Sequence, residues 1–245
     1  MIKIENVEVM GWEAAIRGMR NPKNSWDRSD SGYSYISDVH AIIGGELIHQ
    51  NPAEHAFCIG KNDLDLMKRL RNAGTDHRKF MRMITVYLDI TAPLYWWKEF
   101  DTYKVGTVAN SCSTMHKIAD KEFTLEDFSH EHLCNDELAL LEEIIARLNM
   151  NRIVFIAKND KQVDRYTVMS DECYAKYKKT LWWQLIQLLP SSYNQRRTVM
   201  LNYEVLANIY KSRRNHKLDE WHTFCDWIET LPYSQLITGI ENKED

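Results

Sequence analysis

The segment HRKFMRMITVYLDITAP, residues 77–93, limits what this chain can become more than any other stretch. Phe80, Ile84, Val86, Leu88 and Ile90 share one parity with Arg82, and a period of two is that of a strand with one buried face. Its Val, Ile, Thr and Tyr content suits a pleated surface. Pro93 has no N–H to give a ladder, so the strand stops there after about ten residues. The chain continues as LYWWKEFDTYK, which predicts a helix from Leu94 to Lys104 ended by Gly106.

Elsewhere helical spacing prevails. Ile2, Ile4, Val7 and Val9 predict a first strand, and Trp12–Met19 a short helix. The polar segment Asn21–Tyr35 reads as a surface loop, either a ligand lid or a stretch without regular structure. Residues 36–60, broken by Gly44-Gly45 and Asn51-Pro52, take no assignment. Asn62 or Asp63 is the expected cap of a helix running to Asn72, with Gly74 beyond it. Leu138, Leu141, Ile145 and Leu148 mark an amphipathic helix within 124–150. Residues 151–168 are too mixed to assign. Helices are predicted over Tyr174–Leu189, over Arg197–Arg213 with the stripe Val199, Tyr203, Leu206 and Tyr210, and over Asp219–Leu231.

Charge and cysteine usage narrow the function classes. A net charge of −4 offers no global field for duplex nucleic acid, so any anion site must be local. No apolar run reaches the ~20 residues that span a bilayer, and MIKIENVEVM lacks a secretory layout. Five scattered cysteines without a CxxC pair argue for a reducing cytoplasm rather than a disulfide framework. A single domain over residues 1–245 is expected.

Arg196 and Arg197, with Arg213 and Arg214, are the richest anion candidates, since guanidinium forks suit phosphates and carbonyl edges. The alternative reading is that they are solvated or pair with Glu204, Asp219 or Glu220. Asn110 to Thr114 supplies small donors and acceptors, as a ligand loop or a plain turn. Cys112 is a candidate nucleophile or an inert thiol. The alternating His130, His132 and Cys134 read as a Glu-rich surface turn before they read as zinc ligands, and no metal is expected. His77 is a lone histidine before the strand.

Taken together, these stretches resemble the flavin-dependent thymidylate synthases over residues 64–116 and 189–213. That family has a helix ending in Gly, a His-containing segment, a strand, Ala-Pro, a helix, then Arg-His-Arg and, beyond it, Ser. Here Gly74, His77, Ala92-Pro93, Thr102-Tyr103-Lys104 and Ser113 stand in that order. In the second stretch Leu189-Pro190, Arg196, Asn202, Asn208 and Arg213 fall at the family's spacing without a gap. Thr102-Tyr103-Lys104 keeps one cation of the family's motif, and Met115-His116 replaces its closing Arg-Tyr.

The resemblance implies an α+β fold with an antiparallel sheet and long packed helices, assembled as a homotetramer. It implies transfer of a one-carbon unit from methylene-tetrahydrofolate to C5 of dUMP, with FAD as cofactor and NADPH as co-substrate. Arg196, Ser113 and Asn110 would hold dUMP, and Arg213 would act catalytically against the uracil carbonyls. His77, Tyr103, Lys104, Asn202 and Asn208 would border the flavin. A divergent protein that keeps the pyrimidine nucleotide and has lost flavin chemistry is the alternative.

Overall fold

The computed structural model describes residues 2–35, 55–157 and 168–240. Among them, a four-stranded antiparallel sheet runs in the order β1 (Lys3–Met10), β4 (Thr85–Pro93), β6 (Asn194–Asn202) and β5 (Val108–Ser111). A separate antiparallel pair joins β2 (Gly32–Tyr35) to β3 (His55–Cys58), with Gly32 opposite Cys58. The helices are α1 (Trp12–Arg20), α2 (Lys61–Asn72), α3 (Leu94–Phe100), α4 (Thr114–Lys117), α5 (Asn135–Ile156), α6 (Asp171–Leu188), α7 (Tyr203–Arg213), α8 (Asp219–Glu229) and α9 (Gln235–Thr238). This is the α+β architecture expected. Among the described residues, no helix is long and apolar enough to cross a membrane.

Strand β4 follows from its alternation: Val86, Leu88, Ile90 and Ala92 are buried, whereas Tyr87 is exposed. On the other parity Asp89 accepts hydrogen bonds from Asn6 Nδ2 of β1 at 2.8 Å and Thr198 Oγ1 of β6 at 2.5 Å. The strand is shorter than expected. Lys79–Met83 forms a 3-10 turn that buries Phe80 and Met81 in succession, which a pleated strand cannot do.

The chain forms two compact units. The first comprises residues 91–99 and 111–197. Its core gathers Ile118, Phe123, Phe128, Leu141, Ile145, Leu148 and Leu185 between the polypeptide after α4 and the faces of α5 and α6. Lys178 of α6 donates to the carbonyls of Val154 at 2.8 Å and Ala157 at 2.6 Å, so a cation satisfies the end of α5. Trp96 and Trp97 are buried, and Trp97 donates to the Gln195 carbonyl at 2.9 Å.

The second unit comprises residues 2–90, 100–110 and 198–245. Trp12 meets Tyr203 and Tyr233 edge-on, each at 5.2 Å between centroids, and Trp221, Phe224 and Ile228 bury one face of α8. The Asn21–Tyr35 segment is tied down here. Ser29, Ser31 and the backbone N–H groups of Asp30 and Ser31 all donate to the Asp63 carboxylate, which also accepts Arg20 Nε at 2.6 Å. Asp30 in return accepts from the N–H groups of Asn62 and Asp63. The cap of α2 therefore comes from a distant carboxylate rather than from Asn62 or Asp63 themselves. The N-cap residue is Gly60, and a Cβ there would stand 2.2 Å from Asp30 Cγ.

Two further predicted boundaries change. The helix expected over Arg197–Arg213 is strand β6 followed by α7, and the stripe that suggested it spans both. Gln195, Val199 and Leu201 are buried at a period of two, and Asn202 begins the helix by accepting from the N–H groups of Glu204 and Val205 at 3.1 Å. Arg196 and Arg197 thus lie on a strand, not at a helix start. Helix α3 stops at Phe100 rather than Lys104, and Gly106, at φ +79°, lies beyond it. Only part of residues 36–60 and 151–168 lies within the described residues.

Candidate functional site

The first unit contains a cavity of about 360 Å³ whose lining includes Cys112, Ser113, Lys117, Lys121, Tyr193 and Arg196. That volume lies near the lower end of small-molecule sites, roughly 300–1,000 Å³. The main chain sets its floor: the Cys112 N–H donates to the Arg196 carbonyl at 3.0 Å, and Gln195 Nε2 donates to the Cys112 carbonyl at 3.0 Å. Gln195 is buried and is held in turn by Arg197, whose Nε donates to Gln195 Oε1 at 2.9 Å. The Arg197 guanidinium lies 4.1 Å over the Trp97 ring. Arg197 is thereby a positioning residue, and its neighbour Arg196 is exposed at the cavity.

Ser113 starts α4, its Oγ accepting from the His116 N–H at 3.1 Å. Helix α4 and the turn after it bring Lys117 and Lys121 to the same lining. Lys117 Nζ lies 2.8 Å from Asp120, and Lys121 pairs with Asp127. The hydrogen bond to Asp120, with the charge of that carboxylate, raises the Lys117 pKa and keeps the ammonium charged. Burial raises the Tyr193 pKa, with Asp127 and Cys112 adding to the effect, so its phenol stays protonated. The ensemble is a small recess with three cations, the carboxylates of Glu126 and Asp127, hydroxyl donors and an aromatic wall, and its cations and hydroxyls suit a phosphate joined to a planar ring.

The remaining residues that the resemblance assigns lie in the second unit, whereas HEHLC lies in the first. Arg213 donates from Nε to the Tyr103 hydroxyl at 3.0 Å, and its guanidinium sits 4.9 Å over the Trp221 ring. Arg214 pairs with Asp226 and Glu229, not with Glu204, Asp219 or Glu220 as the sequence alternatives had it. Asn110 is exposed on β5, and Lys104 and Asn208 are exposed. His77 is exposed beside a cleft of about 1,200 Å³ that also includes Arg69 and Lys79. Asn202 is buried: its carbonyl oxygen caps α7 and its amide faces the Gly106 carbonyl at 3.5 Å. Within HEHLC, His130 Nδ1 meets the Phe128 carbonyl at 2.8 Å, and Cys134 pairs with Glu137. Sequence reasoning missed Lys117, Lys121 and Tyr193, although both lysines follow the small polar run directly in TMHKIADK.

No family profile matches the chain, and no curated protein sequence matches it. Solved structures do. The chain has the fold of the flavin-dependent thymidylate synthases. Its structure is similar to the flavin-dependent thymidylate synthase of Helicobacter pylori, solved with FAD and dUMP, with a TM-score of 0.58 at 14% identity. That likeness covers 98% of this chain and 100% of the other. It is also similar to a UMP/dUMP methylase of Streptomyces cacaoi, at a TM-score of 0.51 and 10% identity, covering 98% of this chain and 96% of the other.

Proposed function

We propose that the chain binds dUMP in the cavity of the first unit and transfers a one-carbon unit from methylene-tetrahydrofolate to C5 of the uracil. One observation carries this reading: Arg196 and Ser113, which the family resemblance assigns to the nucleotide, line one recess together with Lys117 and Lys121. Arg196 and the lysines answer the phosphate, Ser113 adds a hydroxyl, and Tyr193 offers an aromatic wall. Asn110 would add a further nucleotide contact. Arg213 would lie against the uracil carbonyls and favour negative charge on the ring, so that C5 can attack. The protein would act in the cytoplasm as a homotetramer with sites at subunit junctions, so the residues of one site need not come from one copy.

FAD, when bound, would supply the hydride that completes the methyl group, with NADPH as the reductant. His77, Lys104 and Asn208 fit that task, being exposed and carrying donor groups. Tyr103 and Asn202 fit it less well, because the first is engaged by Arg213 and the second caps α7. This internal engagement favours a second reading, a nucleotide-binding protein of the same fold without flavin chemistry. Titration calorimetry with dUMP, with FAD added and withheld, decides between them. Binding that tightens with FAD supports the synthase; binding indifferent to FAD supports the second reading. Absence of dUMP binding in both conditions removes both.

A further inference from the structure

The recess proposed for the nucleotide has a direction. Lys117, Lys121 and Arg196 are exposed, whereas Ile118 and Phe123 are buried and Gln195, 7% exposed, is the one buried polar residue of the lining. A phosphate keeps part of its hydration at the exposed cations, so the ring is the end that goes inward, toward the buried wall. In a pyrimidine nucleotide C4 stands across the ring from N1, which carries the sugar. The group on C4 therefore reaches furthest in. It is also where uracil and cytosine differ, with a carbonyl oxygen that accepts in one and an amino group that donates in the other.

The Gln195 amide can sit in only one orientation. Arg197 Nε can only donate, and it does so to Gln195 Oε1 at 2.9 Å; the Cys112 carbonyl can only accept, and it does so from Gln195 Nε2 at 3.0 Å. Arg197 is held in turn 4.1 Å over the Trp97 ring, and Trp97 Nε1 donates to the main-chain carbonyl of Gln195 at 2.9 Å, so the residue is braced through side chain and main chain alike. An amide nitrogen carries two protons. One goes to Cys112, and the other has no partner among the described residues. A buried donor in that condition favours a ligand that brings it an acceptor. The carboxylates of the lining are otherwise placed: Asp127 is engaged by Lys121 and by the Thr124 N–H, and Glu126 is exposed.

We propose that the second N–H of Gln195 Nε2 donates to O4 of the bound pyrimidine and so selects uracil over cytosine. This rests on the dUMP reading of the cavity. Cytosine would turn its amino group toward the same N–H, placing two donors face to face with no acceptor between them. The amide cannot turn over to present Oε1 instead, because both of its present bonds would break and Nε2 would meet the Arg197 guanidinium. Gln195 is thus a specificity-determining residue that reads the base, while Arg196 beside it answers the phosphate.

The test is calorimetry of the full chain with dUMP and with dCMP near neutral pH. The wild-type protein is expected to bind dUMP about 10-fold more tightly than dCMP, or better. In Gln195→Leu that ratio should fall to about one, and because it compares two ligands on one variant, any general weakening of the site cancels from it. A further ligand needs no variant: the deoxyuridylate analogue with hydrogen in place of O4 should bind the wild type about 10-fold more weakly than dUMP. Equal binding of dUMP and dCMP, equal binding of dUMP and the analogue, or an undiminished preference in Gln195→Leu overturns the role of Gln195 and leaves the nucleotide site standing. So does the loss of both nucleotides from a folded Gln195→Leu, which would make the amide a brace for the Cys112 loop and not a reader of the base. No dUMP binding by the wild type overturns the site itself and this inference with it.

Discussion

Two ion pairs in this molecule are alike in chemistry and length and differ in surroundings. Asp63 and Arg20 are almost wholly buried, their side chains 0% and 5% exposed, and the carboxylate accepts two hydroxyl and two backbone donors besides the guanidinium. Lys117, which lines the cavity of the first unit, and Asp120 are 70% and 58% exposed and form the same kind of pair at a similar distance. The buried pair is satisfied from every side, so it fixes the Ser25–Ser31 turn to α2 and has little to offer a ligand. The exposed pair is screened by water and exchanges partners at small cost, which is what a site for a charged nucleotide requires.

Removing the buried charge should therefore have the largest effect. Asp63→Asn leaves the buried Arg20 charge without its carboxylate, holding only the carbonyls of Ser25 and Arg28, and a loss of about 3–5 kcal/mol in urea unfolding is expected. Burial pushes the Asp63 carboxyl up, but the hydrogen bonds from Ser29, Ser31 and Arg20 and the Arg20 charge hold it below its usual value overall. Because the folded pKa is the lower one, this stability is complete above the unfolded value of about 4 and declines as pH falls toward the folded one. The wild type should lose stability over that acid window, and Asp63→Asn should show a flatter limb. An identical acid limb in both would mean that the cluster is not what holds the segment.

Arg196→Ala should act on binding alone. Losing one charge-assisted contact to phosphate weakens dUMP by roughly 1–3 kcal/mol, about 5- to 150-fold, with the unfolding midpoint unchanged. A midpoint that drops would place Arg196 with the buried pair rather than the exposed one. Asn202→Ala lies between these cases, since Asn202 is buried but uncharged. Loss of its cap on α7 should cost about 1 kcal/mol of stability, and dUMP affinity should stay as it was.

These differences explain how much the sequence disclosed. Strand β4 and helices α5, α6 and α8 were legible because each buries one face at a regular period. Strand β6 was hidden because Val199 and Tyr203 lie four residues apart across the junction at Asn202, which imitates a helical stripe. Arg196 and Ser113 were legible through landmark spacing. The partners of Asp63 were not, because Asp30 and Asp63 are more than thirty residues apart and only the folded chain brings them together. Arg197 could not be told from Arg196 without seeing Trp97 beneath it.

The smallest effect is expected for Asp120→Ala. Its carboxylate pairs with Lys117 at the surface, and exposed pairs of this kind contribute little to folding. The unfolding midpoint should not move. The cavity, however, loses a neighbouring negative charge, and the Lys117 ammonium no longer divides its interaction between Asp120 and a ligand. dUMP should bind as well as before or more tightly, with a steeper dependence on ionic strength, because more of the attraction is then unscreened by a fixed partner. Calorimetry at two salt concentrations reads this directly. Weaker binding in Asp120→Ala would mean that the pair positions Lys117 for the ligand, and the exposed cluster would then be as built for its place as the buried one.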